Sequence, residues 1–465
     1  MHRYVFRMLA DGWRLWTPAI GVVAVMATMI GLCVYQFAWT TTSQFGDAAV
    51  EADVPLAEFQ ILSVTVYTLI ALVSWVALTV VGQASVHATR HAYALWLLVG
   101  ASPRTVFWST LRLLFLVSLC GAVVGAAAAT GLSFWAVPAF NSAVSSAVEL
   151  PRFTPASWAP VVIVAVSALT TLVGGVVPAR RSCRLDPSVA LRISDHRDGN
   201  ARSVVIRKLS GVLFFVVAVA LVVASKLDTQ LAAAGPGAIF NLAINTGGSA
   251  LIAVYLLCPQ IVGAVFQMLH RLGEATGLVV SALGIRAAAA RALMNATTIA
   301  PLAVGLGGIG LLLCTVRSVG AFIDLVEPGA PANLTDVLVI VAVIAVSMLA
   351  TSAAVVSLSA RGREREIALL RVAGLRERQV VMLIAAESFT MAFAASAAAC
   401  IPVIFGGLVC AFASVTSPVG SPVVVWPFGI MALGFFGSWL VMFLILAVPT
   451  VAPLRDGPRD PNKIQ

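Results

Sequence analysis

Residues 364–374 read Glu-Arg-Glu-Ile-Ala-Leu-Leu-Arg-Val-Ala-Gly, and the surrounding segment 359–387 has a counterpart earlier in the chain, at 85–113. One constant spacing of 274 residues, the repeat offset, relates Ala94 to Ala368, Gly100 to Gly374, Arg104 to Arg378, and Val106 to Val380. The repeat offset also relates Asp186 and Pro187 to Asp460 and Pro461. A shared offset over such a distance indicates an internal duplication. Duplicated halves are typical of membrane proteins whose lobes move against each other.

The segment 360–380 interleaves charged and apolar residues. This pattern predicts an amphipathic helix with a mixed-charge face, then a break at Gly374, then a second helix. A solvated loop beside the membrane would need basic residues only, but here Glu364 and Glu366 alternate with arginines. The pattern therefore favours a surface on which another protein docks.

The composition is that of a membrane protein. Sixty per cent of the residues are apolar, 11% are charged and the mean hydropathy is +0.99. A soluble domain usually carries about 25% charged residues, so that class is excluded. Ten stretches reach the length of about 20 residues that a helix needs to cross a bilayer. They lie near 15–40, 60–84, 111–136, 158–178, 208–225, 247–268, 295–317, 335–358, 381–411 and 426–450. The ninth is too long for one simple span, so we expect Pro402 to kink it or to end its regular part.

The fold class predicted from these spans is an all-α polytopic membrane protein with short external loops. The repeat offset divides the ten helices into groups of four, two and four. Residues 1–192 form the first repeat, 193–288 form a linker with two extra helices, and 289–465 form the second repeat. The external loops are too short to build a domain with its own core.

The charge distribution predicts the orientation in the membrane. If the N-terminus is inside, all but three of the 29 Lys and Arg residues lie on the cytoplasmic side. The three on the outside are Arg152, Lys226 and Arg317. This asymmetry satisfies the positive-inside rule and places both termini in the cytoplasm. The net charge of +9 then reflects topology and anionic inner-leaflet lipid, and no nucleic-acid partner is implied.

Motifs for catalysis and for cofactor or metal binding are missing from the sequence. The chain has no Gly-Lys dipeptide and hence no Walker A loop. The Gly-Leu-Gly-Gly-Ile-Gly run at 305–310 lies inside the seventh span, where small residues let helices approach closely, as do Gly121 and Gly125. No histidine cluster suggests a metal site, and six of the seven cysteines lie inside predicted spans as packing residues. We therefore expect no catalytic residues, no cofactor and no enzymatic activity.

Glu387 lies a few turns into the ninth span. A carboxylate in an apolar span is unfavourable, so it should have a partner or a path to water. Structural pairing, a role in coupling, a role in substrate or proton handling, and simple reach to the inner interface all remain open.

The Glu-Ile-Ala-Leu-Leu-Arg-x-x-Gly run at 366–374, the following Glu387 and the Pro-Ala-Arg-Arg run at 178–181 with Asp186-Pro187 carry a family resemblance. The chain resembles the FtsX-like (MacB-like) permease family of ABC transporters, in its long ten-helix form. The resemblance implies that a separate ATPase, in two copies, docks beneath two cytoplasmic joints, and that its motion is transmitted to the outer side. The joints are 90–106, the first joint, and 363–380, the second joint. The coupling residues implied are Glu364, Glu366, Leu370, Arg371, Gly374, Arg378, Gly100 and Arg104.

The first repeat departs from the family pattern. Where the second repeat has Glu364, Glu366, Arg371 and Glu387, the first has Arg90, Ala92, Leu97 and Leu113. Two identical ATPase subunits would therefore meet unequal surfaces.

The function predicted from the sequence is the permease subunit of an ABC transporter in a bacterial plasma membrane. Short loops favour an amphipathic, membrane-resident cargo, which is exported or extracted: an antimicrobial peptide, a lipid or a hydrophobic toxin. Membrane lipids are expected partners. The alternative is a scaffold or signalling subunit that transmits ATPase motion to an external partner. A secondary transporter would need ionisable groups near the membrane centre, and the spans contain almost none.

Overall fold

The computed structural model describes most of the chain, in ranges that begin just before the first predicted span and end just after the last. These are 13–51, 70–83, 85–86, 95–144, 151–182, 201–227, 235–275, 292–326, 345, 376–417 and 420–455. Regular secondary structure in these ranges is helical throughout, which confirms the all-α prediction.

Ten helices account for nearly all of the described residues. They are α1 (Trp13–Thr40), α2 (Ser43–Glu51), α3 (Ile70–Gln83), α4 (Pro103–Val144), α5 (Ala159–Ser182), α6 (Ala201–Leu227), α7 (Pro236–Ala275), α8 (Ala292–Val326), α9 (Glu377–Val415) and α10 (Phe428–Arg455). Seven of them are long and apolar enough to cross a membrane, and α3 and the first part of α10 are shorter apolar helices. Nine of the ten predicted spans fall on these helices. The remaining one, at 335–358, lies outside the described residues except for Ala345.

The ninth predicted span is one uninterrupted helix. α9 continues through Pro402, so the alternative in which this proline ends the regular part of the span is wrong. The proline ring faces α8 at Gly307, where an added Cβ would lie 2.9 Å from the ring Cγ. A membrane helix tolerates the missing hydrogen bond because neighbouring helices support the backbone around it.

In each repeat one helix packs closely along two others. In the first repeat α4 packs along α1 and α5, and in the second α9 packs along α8 and α10. Gly121 and Gly125 make the close approach of α1 and α4 possible. An added Cβ on Gly121 would lie 2.7 Å from the Val23 Cβ, and one on Gly125 would collide with the Ala24 carbonyl. The small residues serve close helix packing, as the sequence predicted.

The glycine run of the seventh span has the same role. An added Cβ on Gly310 would lie 2.7 Å from the sulfur of Met431 on α10 and equally close to Val403 on α9. The run thus lies at the centre of the second repeat, inside a helix and packed by side chains.

The two inserted helices, α6 and α7, belong mainly to the second repeat. α7 packs against α8 and α9, and α6 covers α7 while leaving most of its own apolar surface exposed. A connection to the first repeat runs through Tyr255 of α7. Its ring lies edge-on to Trp75 at 5.7 Å, and its hydroxyl lies 3.2 Å from the Thr79 hydroxyl, both on α3.

Candidate coupling site

The first joint contains a helical turn that ends at a glycine. Residues 95–98 are helical, and Gly100 follows with a φ of +92°, a conformation that L side chains rarely adopt. The Ala101 N–H donates to the Trp96 carbonyl at 2.9 Å, and the Gly100 N–H donates to the Leu97 carbonyl at 3.1 Å. These are the two hydrogen bonds of a Schellman motif, which closes a helix on a left-handed residue. Gly100 is thus a structural requirement of the bend that the sequence predicted.

Immediately after the bend, α4 begins with a capped first turn. The Ser102 hydroxyl accepts the Thr105 N–H at 3.3 Å and lies 2.6 Å from the Thr105 hydroxyl. The Ser102 carbonyl accepts the N–H groups of Thr105 and Val106, at 2.9 and 3.1 Å. Pro103 occupies the first helical position, where its missing N–H removes no helical hydrogen bond. Cap and bend together fix the angle between the two helical pieces.

The first joint is held together by a small apolar cluster of its own. Its centre is Val106, which is fully buried, with partly buried residues packed around it: Trp96, Leu97, Ala101 and Phe107. The guanidinium of Arg180, near the inner end of α5, lies 6.0 Å from the centre of the Phe107 ring. Arg104 and Trp108 remain exposed beside this cluster. The joint therefore presents a cation and an aromatic ring on a rigid base.

The second joint starts its helix at the position that matches the first. α9 begins at Glu377, which the repeat offset relates to Pro103, the first residue of α4. The Arg376 carbonyl accepts the N–H groups of Gln379 and Val380, at 2.9 and 3.1 Å, as the Ser102 carbonyl does in the first repeat. Arg376 has no side-chain acceptor, and the cap is closed instead by its own N–H, which donates to Gln379 Oε1 at 2.9 Å.

The two joints differ in what supports them. Val380 is fully buried, like Val106, but it belongs to an apolar cluster shared with Phe266 of α7 and Ile384 of α9. Arg378 is exposed on the first turn of α9. The other residues predicted for this joint lie outside the described residues: Glu364, Glu366, Leu370, Arg371 and Gly374.

Glu387 is buried within the second repeat, with 3% of its surface exposed, so it does not reach the solvent-facing surface. The neighbouring hydroxyls of Ser388 and Thr390 donate to α9 carbonyls at 3.0 and 2.6 Å. The Trp439 indole N–H of α10 donates to the Ala385 carbonyl at 3.4 Å. Glu387 is two residues, or about half a helical turn, away from Ala385, so it lies on a different face of α9 from this contact with α10.

Sequence reasoning missed three features of the joints: the Ser102 cap, the burial of the two valines, and the contact between Arg180 and Phe107. Ser-Pro before an apolar helix is a known signal for a helix start and would have located the cap. The valines were recognised as a matched pair, but their burial depends on different surroundings that no local pattern encodes.

Comparison with known proteins agrees with this architecture. A family model described as FtsX-like permease C-terminal matches residues 64–187 and again residues 337–458, which together make up just over half of the chain. The starts of the two matches are related by nearly the same offset as the joints. A comparison with curated proteins finds no match.

The fold and the two joints define a duplicated, multi-pass membrane protein of the transporter class. The chain belongs to the FtsX-like permease family. It is therefore a permease subunit of an ABC transporter, a transporter component that works with a separate ATPase.

Proposed function

We propose that the joints receive two copies of the ATPase and convert its motion into movement of α4 and α9. The observation that carries this proposal is that the two helices start at positions related by the repeat offset, with the same backbone hydrogen bonds, each beside an exposed arginine, Arg104 or Arg378. A capped first turn and a fully buried valine hold the start of each helix in place, so that motion of the ATPase at the joint is passed to the helix. The coupling residues are those predicted at both joints, with Glu387 as a further coupling residue inside the membrane.

The proposed organisation keeps the two repeats, 1–192 and 289–465, and the linker 193–288. Both termini lie in the cytoplasm of a bacterium, and the protein spans its plasma membrane. Cysteine labelling tests this orientation. Substituted cysteines are expected to react from outside at Ser43, Ser142, Thr229, Pro331 and, in the connection after Ser417, at Ser421, because Ser417 itself is buried and Ser421 is exposed. Cysteines at Asp198, Glu274 and Arg363 should react only after permeabilisation, and labelling of intact cells at Arg363 would reverse the orientation.

The proposed cargo is amphipathic and resides in the membrane: an antimicrobial peptide, a lipid or a hydrophobic toxin, exported or extracted from the bilayer. Its support is the lateral surface of the helices. α4, α5 and α6 expose many large apolar side chains, among them Val123, Leu169 and Leu213. An apolar cargo can reach such a surface directly from the bilayer.

Photo-cross-linking in the native membrane tests the docking site. A photoreactive amino acid placed at position 104 or 378 should capture a protein with a Walker A motif, in a yield that changes with a non-hydrolysable ATP analogue. The matched control is exposed Thr154, in the connection that the proposed orientation places outside. ATPase adducts at 154, or none at either joint, would contradict the proposal. ATPase coupling without cargo movement would instead favour the scaffold or signalling role.

A further inference from the structure

An open apolar groove runs between α4 and α5, away from both joints. It encloses about 700 Å³, within the range usual for ligand sites. Its walls are one stripe from each helix, at helical spacing: Phe115, Leu119, Val123, Ala126, Ala127 and Thr130 on α4, and Pro160, Val161, Val164, Ala165, Ala168, Leu169 and Leu172 on α5. The stripe on α4 extends over about 22 Å of helix, at the usual rise per residue. That length exceeds one leaflet of the hydrocarbon core, about 15 Å.

Small residues line part of the groove. Ala127 on α4 and Ala165 on α5 are exposed into it, and Ala126 and Ala168 form its floor. Its one hydroxyl, on Thr130, already donates to the Ala126 carbonyl at 2.8 Å and lies 2.8 Å from the Tyr35 hydroxyl. The groove therefore offers dispersion contacts and no unsatisfied polar group, which suits a hydrocarbon chain.

The second repeat fills the corresponding face with its own side chains. The repeat offset relates Phe115 and Leu119 of the groove to Phe389 and Phe393 of α9. Phe389 lies edge-on to Phe435 at 5.5 Å and to Trp439 at 6.2 Å, both on α10. Phe393 lies edge-on to Phe435 at 6.5 Å. Aromatic rings thus occupy the face between α9 and α10, whereas the α4–α5 face is left open.

The outer mouth of the groove has the features of a membrane interface. Trp135 and Trp158, just beyond the ends of the two stripes, are 72% and 51% exposed, and exposed tryptophans favour the headgroup level. Phe153, in the connection between the helices, lies edge-on to Phe134 of α4 at 5.8 Å. Arg152 precedes Phe153 in this connection and is exposed, so its guanidinium is available at this end of the α4–α5 pair. Arg152 is one of only three basic residues assigned to the outer side, so the mouth favours an anionic group.

We propose that this groove binds one acyl chain of an anionic lipid, with the lipid headgroup beside Arg152. The proposal rests on the proposed function only for its orientation, which makes this the outer leaflet. In the first repeat the acyl chain takes the place that aromatic rings occupy in the second. The groove is then a lipid site of one repeat only.

The test uses the purified full-length chain in nanodiscs that contain phosphatidylglycerol with a photoactivatable acyl chain. Mapped cross-links should concentrate on the walls of the groove. Ala127→Phe with Ala165→Phe should lower this labelling about tenfold, because the rings displace methylene groups from the groove. The matched control is Ala128→Phe with Val166→Phe, one residue further along each helix, where both positions are exposed but do not line the groove. The control should keep wild-type labelling.

The headgroup is tested separately. The same photoactivatable chain on phosphatidylcholine should label the groove less, and Arg152→Gln should remove most of the difference between the two lipids. Lys226→Gln is the control, since Lys226 is another outer cation but lies over the Phe412 ring at 5.7 Å.

Two results would contradict binding of an acyl chain in the groove: labelling spread evenly over α4, α5 and α6, or equal loss of labelling with the two phenylalanine pairs. Equal labelling by both lipids would overturn the role of Arg152. Since no ATPase is needed, failure here leaves the coupling proposal untouched, and failure of coupling leaves these results untouched.

Discussion

The two repeats begin α4 and α9 in the same way but differ in the side chains around these helices. α4 and α9 begin at positions related by the repeat offset, with the same pair of backbone hydrogen bonds and the same fully buried valine. Further along the two helices, Leu113 and Glu387 occupy matching positions, and each is 3% exposed. Leu113 belongs to an apolar cluster with Val117 and Leu78, whereas Glu387 places a carboxylate at the matching buried position. The two repeats thus keep the same helix start but place different side chains at matching buried positions. The repeats should therefore respond differently to equivalent substitutions.

The largest difference is expected at the joints. Glu366→Ala with Arg371→Ala should abolish ATPase binding or its stimulation, because truncating one partner of a desolvated charge pair costs about 2–5 kcal/mol. Arg90→Ala with Arg104→Ala should only weaken binding, since the first joint presents mainly apolar surface around Val106. Binding of the purified ATPase to each variant, at one fixed salt concentration, measures the difference. Equal losses from the two double mutants would show that the asymmetry has no mechanical consequence.

A second comparison exchanges the buried residues at the matching positions. Leu113→Glu should lower the yield of folded protein, because a carboxylate without a partner among buried apolar side chains is unfavourable. Glu387→Leu should leave folding intact but uncouple ATP hydrolysis from cargo movement. Folded yield by gel filtration and ATPase stimulation by cargo separate these outcomes.

Glu387→Gln controls for shape at the same site. If Glu387→Leu lowers the folded yield as much as Leu113→Glu does, Glu387 has a structural pairing role and the coupling role is lost. If Gln preserves coupling, the hydrogen bonds of the side chain matter rather than its charge.

A substitution at Gly100 tests whether the first joint needs a fixed angle between its two helical pieces. Gly100→Ala introduces no clash, since an added Cβ would have no atom within 4 Å. Its effect is then purely conformational, about 1–2 kcal/mol for an L residue in the left-handed region. We expect a weaker joint and reduced ATPase stimulation. Gly131→Ala in α4 is the control, because it also meets no atom within 4 Å but has an ordinary helical backbone. An unchanged joint in Gly100→Ala would show that the φ of +92° is not needed for function.

Part of the fold and of the joints could be predicted from the sequence. The repeat offset related the two joints, and α4 and α9 do begin at matching residues, but the starts at Pro103 and Glu377 lie ahead of the spans predicted near 111 and 381. Nine of the spans followed from apolar length alone. The groove between α4 and α5 did not follow, since Ala127 and Ala165 lie far apart in the chain and resemble any other small residue of a span. Nor did the course of α9 through Pro402, which depends on the space left by Gly307 on another helix.

The smallest expected effect distinguishes the two helix caps. Ser102→Ala removes the hydroxyl that accepts the Thr105 N–H, and loss of such a cap costs about 1 kcal/mol. Amide hydrogen exchange at Thr105 and Val106 should then speed up about fivefold. Ser102→Asp should keep exchange slow, because a carboxylate also caps at this position and favours the helix N-terminus. In the second joint Gln379→Ala should speed exchange at Arg376, whose N–H it leaves unbonded, and not at Val380. If Ser102→Ala leaves exchange unchanged, the Schellman bend alone fixes the first joint. The starts of α4 and α9 then differ less than their side chains suggest.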